Sequence, residues 1–337
     1  MIKKVIKQIV AGRDLGEEQA DQIMDFIMQG NATPSQIGAF MAGLASKGET
    51  FAELAGAARA MRRRAVRVQA LNSVVVDTCG TGGDSLNTFN ISTTAAFVVA
   101  GCGVTVAKHG NRSVSSLCGS ADVLEALGVN LNVDPEITEE AINTIGIGFL
   151  FAPKHHGAMK HAALPRKEVG IRSIFNMLGP LTNPAGANCQ LLGVYAAPLT
   201  EMFAHALKLL GARRAFVVHG HDGMDEISIC APTRITELFE GSIKTYDVTP
   251  EQLTGKTYSL ADIAGGDAKD NAAITRSVLS GKKGPCQDIV AANAGAALVA
   301  AGRAANFNEG IQMARSVMQN GQAQKKLEQL ADFTRQA

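Results

Sequence analysis

A dense group of glycine, hydroxyl, amide and basic residues in the first half of the chain has the composition of an anion-binding site. Gly80, Gly82 and Gly83 permit a tight turn in which backbone N–H groups can point at an anion. A helix is predicted to begin within Asn90–Thr93, and the free N–H groups and dipole of a helix N-terminus attract negative charge. A second polar run begins at Lys108 and adds cations and donors. Two such segments in succession indicate a ligand with more than one phosphate group.

The glycine turn differs from two common nucleotide-binding motifs. A P-loop carries Gly-Lys-Ser/Thr after four intervening residues, whereas the run Gly80–Asp84 offers no lysine there. A dinucleotide-binding turn needs its third glycine at position 85, which is serine. An ordinary glycine turn before a helix remains the alternative. The polar residues that follow favour the phosphate-binding interpretation.

Asp225 and Glu226 are adjacent carboxylates that follow another glycine turn. Such pairs are often solvated loop charges, but two oxygen donors near phosphate groups would suit Mg²⁺, which prefers oxygen ligands and keeps several waters. His219 and His221 lack a third nitrogen or sulfur ligand at suitable spacing, so they give little support for a transition-metal site. The sequence therefore predicts magnesium at the two carboxylates.

Short apolar runs predict strands immediately before these motifs. Val74–Val76 precedes the glycine turn, Val104–Ala107 precedes Lys108, and Ala215–Val218 precedes the carboxylate pair. Helical stretches separate these and further strands at 149–151 and 191–195, which predicts an α/β fold with a mostly parallel sheet covered on both faces. Ligands of such sheets bind at the carboxyl ends of the strands. We therefore expect the polar motifs to lie close together.

Residues 1–70 are predicted to form a small N-terminal helical domain. Apolar residues recur there at helical spacing, and capping boxes begin at Thr33 and Thr50. Segment 154–188 interrupts the strand–helix alternation and is predicted to be a helical excursion that returns to this domain. The stripes of the N-terminal helices carry more apolar face than a short domain usually needs, which favours a homodimer through them.

The remaining residues, 71–337, are predicted to form a larger α/β domain. Segment 239–288 has weak periodicity that fits edge strands, turns and a loop, and 288–333 is predicted to be helical. Arg62–Arg64 is a basic run that fits the C-terminal end of a helix better than a nucleic-acid patch.

Composition limits the function classes. The 337 residues are 46% hydrophobic, which is enough for a substantial core, and the formal net charge of +1 argues against nucleic-acid binding through bulk electrostatics. The six cysteines form no C-x-x-C pair, so we expect reduced thiols and a cytoplasmic protein. No apolar run reaches about 18 residues, so a membrane span is not expected.

Four motifs stand out along the chain: VDTCGTGGD at 76–84, KHGNRSVSS at 108–116, RKEVGIRSIFNMLGPLTNPA at 166–185 and HGHDGMDEIS at 219–228. They occur in the order found in the anthranilate phosphoribosyltransferases, and the chain resembles this family over nearly its whole length. The first two are shared in part with pyrimidine nucleoside phosphorylases, whereas the third is more specific. The resemblance implies a small helical domain, a larger α/β domain, an active site in the cleft between them, and a homodimer.

The resemblance also implies a reaction and its residues. The family transfers the 5-phosphoribosyl group of phosphoribosyl pyrophosphate to the amino group of anthranilate in tryptophan biosynthesis, with Mg²⁺ as cofactor. Anthranilate would contact Gly80, Asn111 and Arg166, whose planar guanidinium suits a carboxylate. Magnesium would be held by Ser92 with Asp225 and Glu226. The residues expected to bind phosphoribosyl pyrophosphate are Gly80, Gly83, Asp84, Thr88, Asn90, Ile91, Ser92, Thr93, Lys108, His109, Gly110, Asn111, Arg112, Ser113, Val114, Ser115, Ser116 and Ser120.

An aromatic amine is already a fair nucleophile, so catalysis should rest mainly on positioning two substrates. His109 is a candidate proton acceptor. Arg172 is expected to be structural, and the histidines at 155, 156 and 161 are structural or adjacent to substrate.

Two alternative functions stay open at this point. A pyrimidine nucleoside phosphorylase would share the glycine turn, although Arg166 and the LGPLTNP run fit it poorly. A non-catalytic relative that binds nucleic acid is disfavoured by the near-neutral charge and by the presence of Arg166 with Asp225 and Glu226.

Overall fold

The computed structural model describes residues 1–113 and 117–337. The described strands are β1 (Val75–Asp77), β2 (Thr105–Gly110), β3 (Ile147–Phe151), β4 (Cys189–Gly193), β5 (Arg214–Gly220), β6 (Thr233–Phe239) and β7 (Ser242–Val248). The described helices are α1 (Ile2–Val10), α2 (Glu17–Met28), α3 (Pro34–Lys47), α4 (Phe51–Arg64), α5 (Ile91–Gly101), α6 (Ser120–Ala126), α7 (Pro135–Ile145), α8 (Ala152–His155), α9 (Lys160–Val169), α10 (Ile174–Met177), α11 (Leu199–Leu209), α12 (Pro250–Thr254), α13 (Ala268–Leu279), α14 (Pro285–Ala300), α15 (Phe307–Gln319) and α16 (Gln322–Gln336), with short 3₁₀ turns at Gly157–Met159, Gly179–Leu181 and Leu260–Ile263.

The strands form a seven-stranded sheet in the order β3-β2-β1-β4-β5-β6-β7 among the described residues. The five strands from β3 to β5 are parallel, and β6 and β7 continue the sheet in antiparallel fashion. The predicted mostly parallel sheet is therefore confirmed. Strand order reverses between β1 and β4, so the chain leaves these two neighbours in opposite directions and opens a crevice at their carboxyl ends.

Both faces of the sheet are covered. Helices α5, α14 and α16 pack on one face around a core that includes Phe97 and Leu298. Helix α11 packs on the other face, and its buried residues Phe203 and Leu207 join the core of the N-terminal helices. The small helical domain and the sheet are thus connected by continuous apolar packing.

The N-terminal helices begin where their caps predict. Thr33 and Thr50 each accept a hydrogen bond from the backbone N–H three residues later, and each forms a full capping box. Glu53 does more than cap α4, because its buried carboxylate also accepts the Leu15 N–H at 2.8 Å and pairs with Lys47 at 3.1 Å. These contacts connect the turn between α1 and α2 to the turn between α3 and α4.

Segment 154–188 returns to the N-terminal helices, where α9 packs against α2 and α3. Ile174, Phe175 and Met177 of α10 belong to the same apolar core. These contacts agree with a helical domain of residues 1–70 that is joined by the excursion 154–188. The division into this domain and an α/β domain of residues 71–337 stays a prediction.

The apolar stripes of the N-terminal helices are covered within a single chain. Ile23, Met24 and Ile27 of α2 and Met41 of α3 are fully buried against neighbouring helices. In the part of the chain that the structure describes, these stripe residues pack within the chain and give no support for a dimer, so the predicted homodimer rests on the resemblance. No helix of the described residues has the length and apolar character that crossing a membrane requires.

Segment 239–288 contains a helix that the sequence pattern did not predict. Helix α13 begins after Asp267, whose side chain accepts the N–H groups of Lys269 and Asp270. Its buried face carries Asn271 and Thr275, so the apolar periodicity that marks a helix is weak there.

Candidate functional site

The glycine loop (residues 80–88) leaves β1 at the crevice and is tied to the end of β4. The Thr81 N–H donates to the Gly193 carbonyl at 2.9 Å, and the Tyr195 N–H donates to Thr81 Oγ1 at 3.2 Å. A side chain at Gly193 is impossible, because its Cβ would lie 1.4 Å from the Asp225 carbonyl oxygen. The loops after β1, β4 and β5 therefore meet at van der Waals distance.

The glycine loop adopts an unusual backbone conformation. Gly82 and Gly83 have φ of 66° and 86°, as the predicted tight turn requires. Ser85 and Asn87 also have positive φ, at 61° and 53°. Such conformations of residues with side chains cost about 1–3 kcal/mol each, and they persist where surrounding contacts enforce them. Asp84 stabilises the turn by accepting the Leu86 N–H at 3.2 Å.

The carboxylate pair (Asp225 and Glu226) accepts hydrogen bonds from backbone groups that the sequence predicts to bind an anion. Asp225 Oδ2 accepts the Gly82 N–H at 2.8 Å, and Glu226 Oε1 accepts the Ser92 N–H at the start of α5 at 3.1 Å. Burial raises the pKa of both carboxyl groups, and neighbouring acidic charges raise it further. The charged form of the pair is therefore disfavoured, and either protonation or a bound cation would relieve it.

Lys108 extends from the end of β2 into the same place. Its Nζ donates to the carbonyl and the hydroxyl of Thr78, both at 3.2 Å, and to Ser92 Oγ at 3.4 Å. The side chain is only 4% exposed. Lys108 is therefore a buried cation beside the first turn of α5, not a solvated surface lysine.

Asp77 is a buried acid that the sequence reasoning missed. Its Oδ1 accepts the His109 N–H at 3.1 Å, and its Oδ2 accepts Nδ2 of Asn183 at 2.7 Å. Burial raises the pKa of Asp77 to about 6, although the charge of Lys108 opposes this rise. A signal was available, because Asp77 stands at the carboxyl end of a predicted strand.

His109 faces a different part of the crevice. Its Nδ1 donates to the Gly179 carbonyl at 3.0 Å, and its ring meets the ring of His156 edge-on at 5.1 Å. Burial lowers the pKa of His109 to about 3, so the ring is neutral near pH 7. Its Nε2 is buried without a hydrogen-bond partner among the described residues, and it can accept a hydrogen bond from a ligand.

Arg166 on α9 carries a charge without a protein counterion. Its guanidinium lies 5.7 Å from the centre of the Phe175 ring, and no carboxylate of the described residues is within ion-pair distance. Burial lowers its pKa. A half-buried arginine of this kind favours an anionic ligand.

Arg112 and Arg172 differ from expectation. Arg112 is engaged by helix α6, where its Nη1 pairs with Asp122 at 3.0 Å and Glu125 at 2.6 Å. Arg172 instead reaches the glycine loop, where its Nη2 donates to the Gly83 carbonyl at 2.5 Å. Arg112 is therefore not a free cation. Arg172 contacts the glycine loop, although it was not among the residues predicted to bind a substrate there.

The other predicted residues surround these groups in several ways. Asn90 stands at the N-cap position of α5 without a capping hydrogen bond from its side chain, and its Oδ1 accepts Nδ2 of Asn271 at 3.0 Å. The side chain of Ile91 is buried in the core. Thr93 is buried, and its hydroxyl has no partner among the described residues. Thr88 forms an isolated β-bridge with Ala264.

The loop after β2 is closed by contacts with the start of α6. Ser120 Oγ donates to the Asn111 carbonyl at 3.2 Å, and the Ser113 N–H donates to Asp122 at 3.1 Å. Gly110 permits this approach, since a Cβ there would lie 2.3 Å from Ser120 Oγ. Val114, Ser115 and Ser116 lie outside the described residues.

The donors of the site fit magnesium better than a transition metal. Nowhere in residues 1–113 and 117–337 do three His, Cys, Asp or Glu side chains converge in a metal-binding group. Two carboxylates and the Ser92 hydroxyl are hard oxygen donors, and Mg²⁺ is commonly held by one or two carboxylates with waters and substrate phosphates.

Comparison with known proteins identifies close relatives. Residues 72–324 match the model of the glycosyl transferase family a/b domain, and residues 3–65 match its helical bundle domain. The anthranilate phosphoribosyltransferase of Desulfatibacillum aliphaticivorans is 64% identical over 336 residues, which cover 100% of this chain and 99% of the relative. The enzyme of the same name from Desulfosudis oleivorans is 63% identical over 336 residues, 99% of each chain.

Solved structures agree with the sequence matches. The anthranilate phosphoribosyltransferase of Thermus thermophilus superposes with a TM-score of 0.93 at 44% identity, covering 98% of this chain and 99% of that one. The anthranilate phosphoribosyltransferase of Saccharomyces cerevisiae, in complex with PRPP and Mg, superposes with a TM-score of 0.90 at 29% identity. The match covers 100% of this chain and 98% of the yeast enzyme. Because the matches extend over both domains, this chain belongs to the anthranilate phosphoribosyltransferase family.

Proposed function

We propose that this protein transfers the 5-phosphoribosyl group of phosphoribosyl pyrophosphate to the amino group of anthranilate and releases diphosphate. The observation that carries the proposal is the convergence of glycine loop, α5 N-terminus, Lys108 and carboxylate pair at the crevice between β1 and β4. A diphosphate leaving group needs such an arrangement of N–H donors, a cation and metal ligands.

The phosphoribosyl pyrophosphate site is formed by the residues around this convergence. Backbone N–H groups of the glycine loop and of the first turn of α5 can donate to phosphate oxygens. Lys108 adds a buried positive charge, whose effect on a developing anion is larger than in water. These groups stabilise negative charge as diphosphate leaves.

Magnesium fits the carboxylate pair with the Ser92 hydroxyl. The pair is half-buried and carries like charges, so a divalent cation relieves the electrostatic cost that raises the pKa of both groups. Mg²⁺ supplies charge neutralisation of the diphosphate when it is bound. Asp225 and Glu226 would hold the ion from the protein side.

Anthranilate is assigned to Arg166, Asn111 and Gly80, the residues that the resemblance implies. Arg166 lacks an acidic partner among the described residues and can bind the carboxylate through two parallel hydrogen bonds. His109 Nε2 can accept a hydrogen bond from the amino group. The low pKa of His109 makes it a weak base, so its contribution is orientation more than proton abstraction.

A direct assay tests the reaction. The purified protein is incubated with anthranilate, phosphoribosyl pyrophosphate and Mg²⁺, and loss of anthranilate fluorescence is followed. We expect a loss that requires both co-reactants and stops when the metal is chelated. Phosphorolysis of a pyrimidine nucleoside without consumption of anthranilate, or binding of nucleic acid without any turnover, would overturn the proposal.

The metal assignment has its own test. The double variant Asp225→Asn, Glu226→Gln keeps side-chain shape and removes two negative charges. We expect near-abolished turnover and a shifted Mg²⁺ dependence with an unchanged circular dichroism spectrum. Superimposable Mg²⁺ titrations of rate, with equal maxima, would contradict the assignment.

A further inference from the structure

Arg172 connects the helical segment to the glycine loop. Gly170 ends α9 with a φ of 67°, and the chain then turns so that Arg172 leaves the packed helical segment. Its Nη2 donates to the Gly83 carbonyl at 2.5 Å, and its guanidinium lies 4.4 Å from the centre of the Tyr195 ring. Both contacts are on the α/β side of the crevice.

The glycine loop depends on contacts from outside itself. Its beginning is held by the Gly193 carbonyl, and its end is held by the hydrogen bond from the Gly265 N–H to the Asn87 carbonyl at 2.9 Å. Between these two points the backbone passes through the positive φ values of Gly82, Gly83 and Ser85. This middle part carries the N–H groups proposed to meet phosphate.

Arg172 acts on this middle part. A Cβ at Gly83 would lie 3.1 Å from Arg172 Nη2, so the guanidinium packs directly on the loop backbone. Tyr195 fixes the guanidinium plane by stacking, and its own N–H is bonded to Thr81 Oγ1. Arg172 thus contacts both the glycine loop and the Tyr195 ring, and the backbone of Tyr195 is itself bonded to the glycine loop.

We propose that Arg172 is a positioning residue that holds the glycine loop in its phosphate-binding conformation from the helical side of the crevice. The proposal rests on the proposed function, because it assigns the loop to phosphoribosyl pyrophosphate. Since Arg166 lies in the helix just before Arg172, the same segment presents one arginine to each substrate. Arg172 thereby couples the order of the phosphate loop to the placement of the segment that binds anthranilate.

The test compares four variants. Arg172→Ala removes both contacts, and Arg172→Lys keeps the charge but loses the planar stack. Tyr195→Leu removes the stacking ring, and Tyr195→Phe keeps it as the matched control. We expect KM for phosphoribosyl pyrophosphate to rise about tenfold in Arg172→Ala, less in Arg172→Lys and Tyr195→Leu, and not in Tyr195→Phe. The affinity for benzoate, a non-reacting analogue of anthranilate, should change less than about threefold when it is measured without phosphoribosyl pyrophosphate.

Hydrogen exchange of the unliganded proteins separates positioning from direct substrate contact. We expect faster exchange of the amides at 81–88 in Arg172→Ala, with the urea midpoint close to wild type. A raised KM with unchanged exchange would mean that Arg172 binds substrate directly and would overturn the proposal. Weaker binding of benzoate in the absence of phosphoribosyl pyrophosphate, by a factor as large as the rise in KM for phosphoribosyl pyrophosphate, would also overturn it. Exchange needs no turnover, so failure of the proposed reaction in the wild type would be recognised separately.

Substrate coupling gives a second readout. Benzoate keeps the carboxylate of anthranilate and lacks the amine, so it can be titrated calorimetrically in the presence of phosphoribosyl pyrophosphate without turnover. We expect the Mg²⁺-loaded wild type to bind benzoate more tightly when phosphoribosyl pyrophosphate is present, and Arg172→Ala to lose most of this enhancement. An enhancement unchanged in Arg172→Ala would overturn the coupling role.

Discussion

At the scale of residues, burial controls the charge of the groups that face the crevice. Burial lowers the pKa of His109 to about 3 and that of His156 to about 4, so both rings are neutral in the folded protein near pH 7. Lys108 is buried beside the first turn of α5, and burial lowers the pKa of Arg166 on α9. The crevice therefore offers basic side chains, which suit anionic groups, and the free acceptor Nε2 of the neutral His109, which suits an N–H donor.

Replacing Arg166 by alanine tests the anthranilate assignment. The change removes a charge-assisted pair worth about 1.5–3 kcal/mol, which corresponds to a loss of about 10- to 100-fold in kcat/KM for anthranilate. Affinity for phosphoribosyl pyrophosphate, measured by calorimetry, should change little. Arg166→Lys serves as the control that keeps charge without a planar fork. If both substrates suffer equally, Arg166 has a structural role.

The neutral His156 predicts a pH dependence of stability. Its folded pKa of about 4 lies below the ordinary value of 6.5, so the unfolded chain takes up the proton first as pH falls. The contribution of His156 to the free energy of unfolding is fully present above pH 6.5. It is lost as the pH falls toward the folded-state pKa of about 4. Between about pH 7 and pH 5, the free energy of unfolding of the wild type should fall by about 2 kcal/mol more than that of His156→Gln.

Urea unfolding at several pH values measures this difference. Asp77, whose pKa is raised, acts in the opposite direction, so the comparison must be between wild type and variant. His205→Gln, at an exposed position of α11, is the control and should follow the wild type. Parallel curves for wild type and His156→Gln would contradict the prediction.

At the scale of elements, the start of α5 and the glycine loop are occupied by the protein's own carboxylates. Glu226 accepts the Ser92 N–H and Asp225 accepts the Gly82 N–H, so an incoming phosphate meets like charge at its donors. Without metal, the carboxylates should therefore oppose anion binding. With Mg²⁺ they should support it.

Calorimetric titration with pyrophosphate tests this competition. In the presence of a chelator at pH 9, above the raised pKa of both carboxyl groups, the double variant Asp225→Asn, Glu226→Gln should bind pyrophosphate about tenfold or more tightly than the wild type, because two nearby negative charges are gone. With Mg²⁺ the order should reverse. Weaker binding by the double variant under both conditions would show that the carboxylates do not compete with phosphate.

At the scale of the whole molecule, one core extends from the N-terminal helices through α9, α10 and α11 to the sheet. The covered stripes remove the apolar-surface reason for a dimer, and the resemblance remains as its support. Light scattering at micromolar concentration should give twice the 35.2 kDa mass of one chain. A monomer mass would refute the homodimer.

The sequence by itself determined the local features of this protein. Capping side chains at Thr33 and Thr50 predicted where α3 and α4 begin, because a cap and its N–H partner are three residues apart. Buried strands with glycine turns at their carboxyl ends predicted the sheet and the place of the site. The specific motifs identified the family, since their residue types follow from the ligand chemistry.

The tertiary structure decided which side chains meet. Asp77 and Asn183 are 106 residues apart and share a buried hydrogen bond, and Arg172 reaches a carbonyl 89 residues away. The structure also engaged Arg112 with α6, although the sequence suggested a free cation. Helical spacing and capping act over a few residues and can be read locally. Burial, counterions and long-range donors depend on how the helical excursion packs beside the sheet, which local sequence patterns do not contain.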